Sequence, residues 1–142
     1  MNNFLNDLLE ADVKKVTEQP KKKVEVKRLS ERFGKKMEME LTTISPQRHA
    51  EIERQAIQIG KKGGVKDIDI FFLQVMTVIE GTVDPNFKDK KLLEKFGAAT
   101  PKDMVTKLLL SGEIADLYND INELSGYERE DDEEDEDKAV KN

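Results

Sequence analysis

Three groups of residues carry side chains that do chemistry in other proteins. The first is the single histidine, His49, set among Gln47, Arg48 and Glu51. A lone imidazole works as a general base or a metal ligand only with a nucleophile, an orienting carboxylate or further ligands beside it. The chain has no second histidine and no cysteine, so His49 reads as a surface residue of an amphipathic helix. The second is Gly60-Lys61-Lys62-Gly63-Gly64, which mixes glycine and lysine as a phosphate-cradling loop does. The order G-x-x-x-x-G-K-[ST] is absent and no strand precedes it, so it reads as a connection between helices. The third is the set Asp84, Asp89 and Asp103, which supplies hard oxygen ligands without the D-x-[DN]-x-[DN]-G order of a calcium loop. Helix capping is the reading for these aspartates. The absence of cysteine also removes disulfides, thiolate nucleophiles and cysteine-based metal sites. The expectation is a chain with no catalytic residue, no metal and no cofactor.

Charge is distributed unevenly. The net charge is -6, yet Lys14, Lys15, Lys21, Lys22, Lys23, Lys27, Arg28, Arg32, Lys35 and Lys36 crowd one stretch, and Glu128 to Asp137 is almost unbroken carboxylate. A lysine cluster binds phosphate without reading sequence. Against nucleic acid as the partner of segment 14–36 stand the net acidity, the lack of a reader motif and the presence of only Phe33 as a stacking residue nearby. The acidic run is expected to be disordered, and it could serve as an intramolecular counter-charge for segment 14–36. The first residues carry acids where a secretory signal would carry bases, and no window approaches the roughly 18 apolar residues of a membrane span. A soluble cytoplasmic protein without a membrane partner is expected.

The elements that position these residues follow from spacing. Phe4, Leu5, Leu8, Leu9, Val13 and Val16 recur every three or four residues and gather on one face of a helix over about 3–17. Pro20 and the lysine triplet 21–23 then read as a linker. From there the rhythm becomes two: Val24 and Val26, then Met37, Met39 and Leu41, with Gly34 available for a turn between the runs. A β-hairpin over 24–44 is the expectation, and its unpaired edges offer a place for strand addition. Ser45-Pro46 starts a helix carrying Ile52, Ala56 and Ile59. Asp67 is positioned to cap a run, Ile68 to Ile79, that is apolar nearly all round and reads as a buried central helix stopped by Gly81. Asp84-Pro85 turns the chain out, Leu92, Leu93 and Phe96 anchor a short helix, and Thr100-Pro101-Lys102-Asp103 opens the next one, with Met104, Val105, Leu108 and Leu109 as its apolar face. Ser111-Gly112-Glu113 begins a final helix with Ile114, Leu117, Tyr118, Ile121 and Leu124, closed by Gly126.

The expected fold class is α+β, mainly α: a β-hairpin packed on a bundle of four to five helices, with a separate N-terminal amphipathic helix. The expected organisation is an N-terminal helix and basic linker over 1–23, a single domain over 24–127 with helices over 46–126, and an acidic tail over 128–142.

The run DPNFKDKKLLEKFGAATPKDMVTKLLLSGEIADLYNDINELSGY resembles the C-terminal signature of XkdN-like phage tail assembly chaperones. Its parts are an Asp-Pro-Asn-Phe opening, a short Leu-Leu-Glu-Lys-Phe-Gly helix, a Thr-Pro helix start, a Gly-Glu-Ile and a closing Leu-Ser-Gly-Tyr. KRLSERFGKKMEMELTTIS is similar to the family's N-terminal Arg-Leu segment, so the resemblance covers about residues 24–127. It implies a non-enzymatic assembly factor of a phage, prophage or phage-tail-like particle. Such a factor binds the tape measure protein and recruits tail tube subunits in the host cytoplasm, and the family offers no catalytic residues to carry over. Such a role needs apolar surface for a helical client, and self-association would use the same surface. The candidate contact residues are Phe4, Leu5, Leu8, Leu9 and Val13 on the first helix, with Val24, Val26, Met37, Met39 and Leu41 on the hairpin. A generic helical adaptor or regulatory protein is the alternative, followed by a nucleic-acid binder through segment 14–36.

Overall fold

The computed structural model of the chain describes residues 3–61 and 68–127. Asp67, Lys62, Gly63, Gly64 and the acidic segment 128–142 lie outside the described residues, and the side chain of Ile59 is likewise not described. Within them the fold is α+β and mainly α, and it is built around two helices, α5 (Ile70–Gly81) and α8 (Ser111–Leu124), that pack against each other. Helix α4 (Pro46–Lys61) and helix α7 (Pro101–Leu108) flank α5, and helix α6 (Lys90–Phe96) lies on α7. The core holds Val75, Val78 and Ile79 of α5, Met104 and Val105 of α7, and Ile114, Leu117 and Ile121 of α8. Burial is what settles Ile70–Gly81 as helix: a run this apolar has no solvated face to offer along its second half.

Caps place these helices. Ser45 Oγ accepts from the Arg48 amide at 3.2 Å, Asp89 from Leu92 at 3.0 Å and Thr100 Oγ1 from Asp103 at 3.1 Å. The cap of α5 is Asp69, which accepts from the Phe72 amide at 2.9 Å, so the helix starts two residues after the predicted position. Asp103 reaches back one residue beyond the cap, to the Ala99 amide at 3.0 Å. Helix α6 ends at Gly97, whose φ of 63° lies in the left-handed region that a side chain disfavours.

The β-structure is more elaborate than the predicted hairpin. Strand β1 (Lys21–Glu25) pairs antiparallel with β2 (Glu38–Thr42), and β2 pairs antiparallel with a third strand, β3 (Thr82–Asp84). Two expectations are corrected here. The lysine triplet 21–23 is strand, held in register by Lys21↔Thr42 and Lys23↔Glu40, and not linker. The connection between β1 and β2 is helix α3 (Lys27–Phe33), closed by Gly34 at φ 68°, and not a tight turn. Alternation continues through β1: Val24 packs on the core, and Lys22 on the same side reaches Asp120 of α8 at 3.3 Å.

The connection after β3 also differs in detail. Its anchor is Phe87, fully buried, while Leu92 and Leu93 pack partly against the core and Phe96 is 43% exposed.

At the other end of the chain, the amphipathic helix predicted over 3–17 is two short helices, α1 (Phe4–Glu10) and α2 (Val13–Thr17). Asp12 breaks it by capping α2, accepting from the Lys14 amide at 3.1 Å. No residue of either helix is buried.

Candidate functional site

The N-terminal segment leaves its apolar face in solvent. Phe4 is 80% exposed, Leu9 74% and Val13 73%, and even Leu8, the least exposed of the set, is 48% accessible. A helix of seven residues is marginal in water by itself, because nucleation costs more than so few hydrogen bonds return. Clustered apolar side chains around a short unburied helix form an exposed apolar patch within the described residues.

The five hairpin candidates separate. Leu41 is fully buried, Met39 is 4% exposed and Val26 6%, so they belong to the core and cannot form an open strand face. Burial follows from packing: α8 lies on β2, so the inward side of that strand is closed. Val24 and Met37 are half-buried against the same core. Three of the five nevertheless reappear together, because Val26, Met37 and Met39 line a cleft of about 520 Å³.

Leu29, Pro85, Leu92, Phe96, Met104 and Leu108 complete its apolar lining. Phe33 also lines it, and Phe33 and Phe96 are 55% and 43% exposed. Methionine adapts its shape to different apolar partners, and Met37, Met39 and Met104 give this cleft three of them. Sequence reasoning assigned Leu92 and Phe96 to anchoring and Phe33 to possible base stacking. The signal available was Phe33 directly before Gly34, an aromatic residue at a chain reversal with no helical partner to cover it.

Beside the cleft, Arg28 of α3 pairs with Glu113 of α8, with Nη2 to Oε1 at 2.8 Å and Nε to Oε2 at 3.0 Å. Arg28 also donates to the Leu108 carbonyl at 2.8 Å, and Glu113 accepts from the Leu110 amide at 2.8 Å. The Arg28 hydrogen bond holds the Glu113 carboxyl below its ordinary range against the opposing effect of burial. A second ionic group joins Arg48 and Lys88 on Glu80 at 3.1 and 2.9 Å. Burial pushes the Glu80 carboxyl upward, but Lys88 and Arg48 together outweigh it and hold it low. Both groups are satisfied ion pairs tying elements together, which accounts for their shifts without any catalytic role.

His49 is half-buried and not a surface side chain: its ring stacks on Tyr127 at 5.1 Å, and Nδ1 lies 3.4 Å from Glu53. Asp89 caps α6, Asp103 ties down Ala99 and Asp84 lies in β3 opposite Glu40. Among the described residues no cluster of three or more His, Asp or Glu side chains is placed to hold a metal, and no helix is long and apolar enough to cross a membrane.

Residues 5–140 match the family described as phage XkdN-like tail assembly chaperone protein. The chain is 31% identical over 120 residues to the phage-like element PBSX protein XkdN of Bacillus subtilis (strain 168), covering 82% of this chain and 80% of that one. It is 30% identical to the protein YqbN of the same organism, over 82% of this chain and 79% of the relative. The crystal structure of YqbN superposes with a TM-score of 0.58 at 25% identity, covering 76% of this chain and 87% of the other. The chain belongs to the XkdN-like phage tail assembly chaperones.

Proposed function

We propose that the chain is a non-enzymatic chaperone that binds the tape measure protein and helps to recruit tail tube subunits during tail assembly in the cytoplasm of a bacterial host. Its contact surfaces are the apolar face of α1 and α2 and the methionine-lined cleft. The observation that carries this reading is the uncovered set Phe4, Leu5, Leu8, Leu9 and Val13 on a member of an assembly chaperone family. An amphipathic helix laid along a long helical client buries such a face, and the cleft receives a client side chain in the same encounter. Self-association through the same face is the competing use of it.

The test is co-expression of the full chain with the tape measure and tail tube proteins encoded beside it. Capture should be lost when Leu5, Leu8 and Leu9 are all changed to Asp, with the circular dichroism spectrum retained. Capture undiminished in that variant removes the N-terminal face from the proposal. A wild-type chain that retains neither protein removes the client. Light scattering of the two chains alone reports whether self-association follows the same residues.

A further inference from the structure

The lysines of α2 and β1 are not used by the surfaces above. Between Val13 and Lys23 the chain carries Lys14, Lys15, Lys21, Lys22 and Lys23 against the single acid Glu18. Among the described residues Lys14, Lys15 and Lys23 make no ion pair, while Lys21 and Lys22 each meet one acid, at 3.8 and 3.3 Å, with side chains 59% and 47% exposed. Glu40, opposite Lys23 in the register, and Asp120 supply part of the counter-charge for β1. Lys14 and Lys15 of α2 have no acid paired with them among the described residues, and like charges so close together attract a mobile or tethered anion.

The fold brings the end of α8 close to the same place. At the end of α8, Ser125 Oγ accepts from the Ile44 amide at 3.3 Å, and Tyr127 stacks on His49 at the start of α4. On the other side of the same short stretch, Thr42 Oγ1 donates to the Pro20 carbonyl at 3.3 Å and Thr43 Oγ1 donates to Gln19 Oε1. Residues 42–44 therefore bridge the point where the described chain stops, at Tyr127, and the point where the lysine stretch joins the sheet. Directly after Tyr127 come Glu128, Glu130, Asp131, Asp132, Glu133, Glu134, Asp135, Glu136 and Asp137, relieved only by Arg129.

We propose that the acidic segment 128–137 docks on the lysines of α2, Lys14 and Lys15, and on those of the outward side of β1, Lys21 and Lys23, of its own chain. Ten extended residues span up to about 35 Å, roughly twice the length of a five-residue strand, so every lysine of the set is within reach. A segment tethered at so short a distance acts at an effective concentration in the millimolar range. That local excess makes it the first occupant, ahead of nucleic acid or an acidic client, either of which must displace it.

Because the chain has no cysteine, Ala139→Cys in the full-length protein gives one attachment point for a nitroxide. The expected result is loss of amide NMR intensity at residues 14–23. The intensity should return at about 1 M salt, where the screening length falls to about 3 Å. It should also return when Asp131, Asp132, Glu133 and Glu134 are changed to their amides. Intensity unaffected at those lysines, or attenuated equally in the amide variant, overturns the proposal. A mixture of labelled and isotope-enriched copies in which only the second copy is attenuated overturns it too, because the contact is then between chains. Short single-stranded DNA should bind the amide variant more tightly than the unlabelled wild type; equal affinity means that the lysines were never covered.

Discussion

Arg28 and Glu113, 85 residues apart in sequence, meet in a two-point pair at 2.8 and 3.0 Å that fixes α3 to the first turn of α8. The planar guanidinium matches a carboxylate in two parallel bonds, so the pair sets an angle as well as a distance. It holds the helix between the two strands against the bundle, where Val26 and Leu29 shape one side of the cleft. The cleft therefore depends on a contact outside its lining.

The same pair makes stability depend on pH. The Glu113 carboxyl is held below its ordinary value of 4.5 chiefly by the Arg28 hydrogen bond. Glu80 is also held low, because Lys88 and Arg48 together outweigh the upward push of burial. A carboxyl depressed in the folded state binds its proton more tightly when unfolded. Its contribution is therefore complete above the unfolded value and is lost as pH falls through the folded one. Thermal melts should show stability level near neutral pH and declining below about 4.5. Glu113→Gln should lower Tm at neutral pH and flatten that acid decline, and a variant that declines as steeply as the wild type would show that Glu113 is not responsible.

Gly81, at the end of α5, sits against Ile121 of α8, where an added Cβ would lie 2.6 to 2.9 Å from three side-chain carbons of Ile121. The two helices of the core approach this closely because one of them has no side chain at the crossing. Gly81→Ala should cost about 1–3 kcal/mol through overpacking. Ile121→Ala should cost about 2–5 kcal/mol alone. Combining the two should be less damaging than their sum, because the alanine at 121 removes all three carbons that the added methyl at 81 would meet. Chemical denaturation of the four proteins checks this, and strict additivity would place the strain elsewhere.

The connection from Asp84 to Pro101 is held by its ends and by Phe87. Thr100→Ala removes the acceptor for the Asp103 amide and should cost about 1 kcal/mol. Because the change alters no buried area, the urea midpoint should fall with an unchanged m-value. Gly97→Ala, at φ 63°, should destabilise as well, since alanine is strained in the left-handed region.

These helices were legible because their signals are local. Ser45-Pro46, Asp89, Thr100-Pro101 and Gly97 each satisfy or terminate a helix end with their own atoms. The sheet was less legible because its causes are distant. Three consecutive lysines are poor strand formers, and Lys21–Lys23 extend only because β2 supplies a ladder of partners. Strand β3 is three residues long and pairs through a register irregularity at Glu40/Leu41, leaving no alternation to detect. Helix α3 buries only Leu29, so its period has nothing to repeat. Of the candidate site, the exposed N-terminal face followed from periodicity. The cleft did not, because its walls come from segments near 26–39 and 85–96 that only the tertiary fold brings together.

The ten candidate contact residues can be sorted by experiment into those that meet a partner and those that hold the fold. Leu5, Leu8 and Leu9 are 61, 48 and 74% exposed, so changing all three to Asp removes little packing within the chain. The urea midpoint of that variant should stay at the wild-type value while client capture is lost. Leu41, fully buried in the core, lies at the centre of the sheet between β1 and β3. Leu41→Ala should lower stability by about 2–5 kcal/mol, and capture should fall only in proportion to the folded fraction. Met37, half-buried at the cleft, should fall between the two patterns. Met37→Ala should cost less stability than Leu41→Ala because less of its side chain is enclosed, yet weaken capture more than unfolding explains. If Leu41→Ala reduced capture while the chain remained folded, the strand itself would be a contact surface; if Met37→Ala lowered stability alone, the cleft would be part of the core and not of the interface.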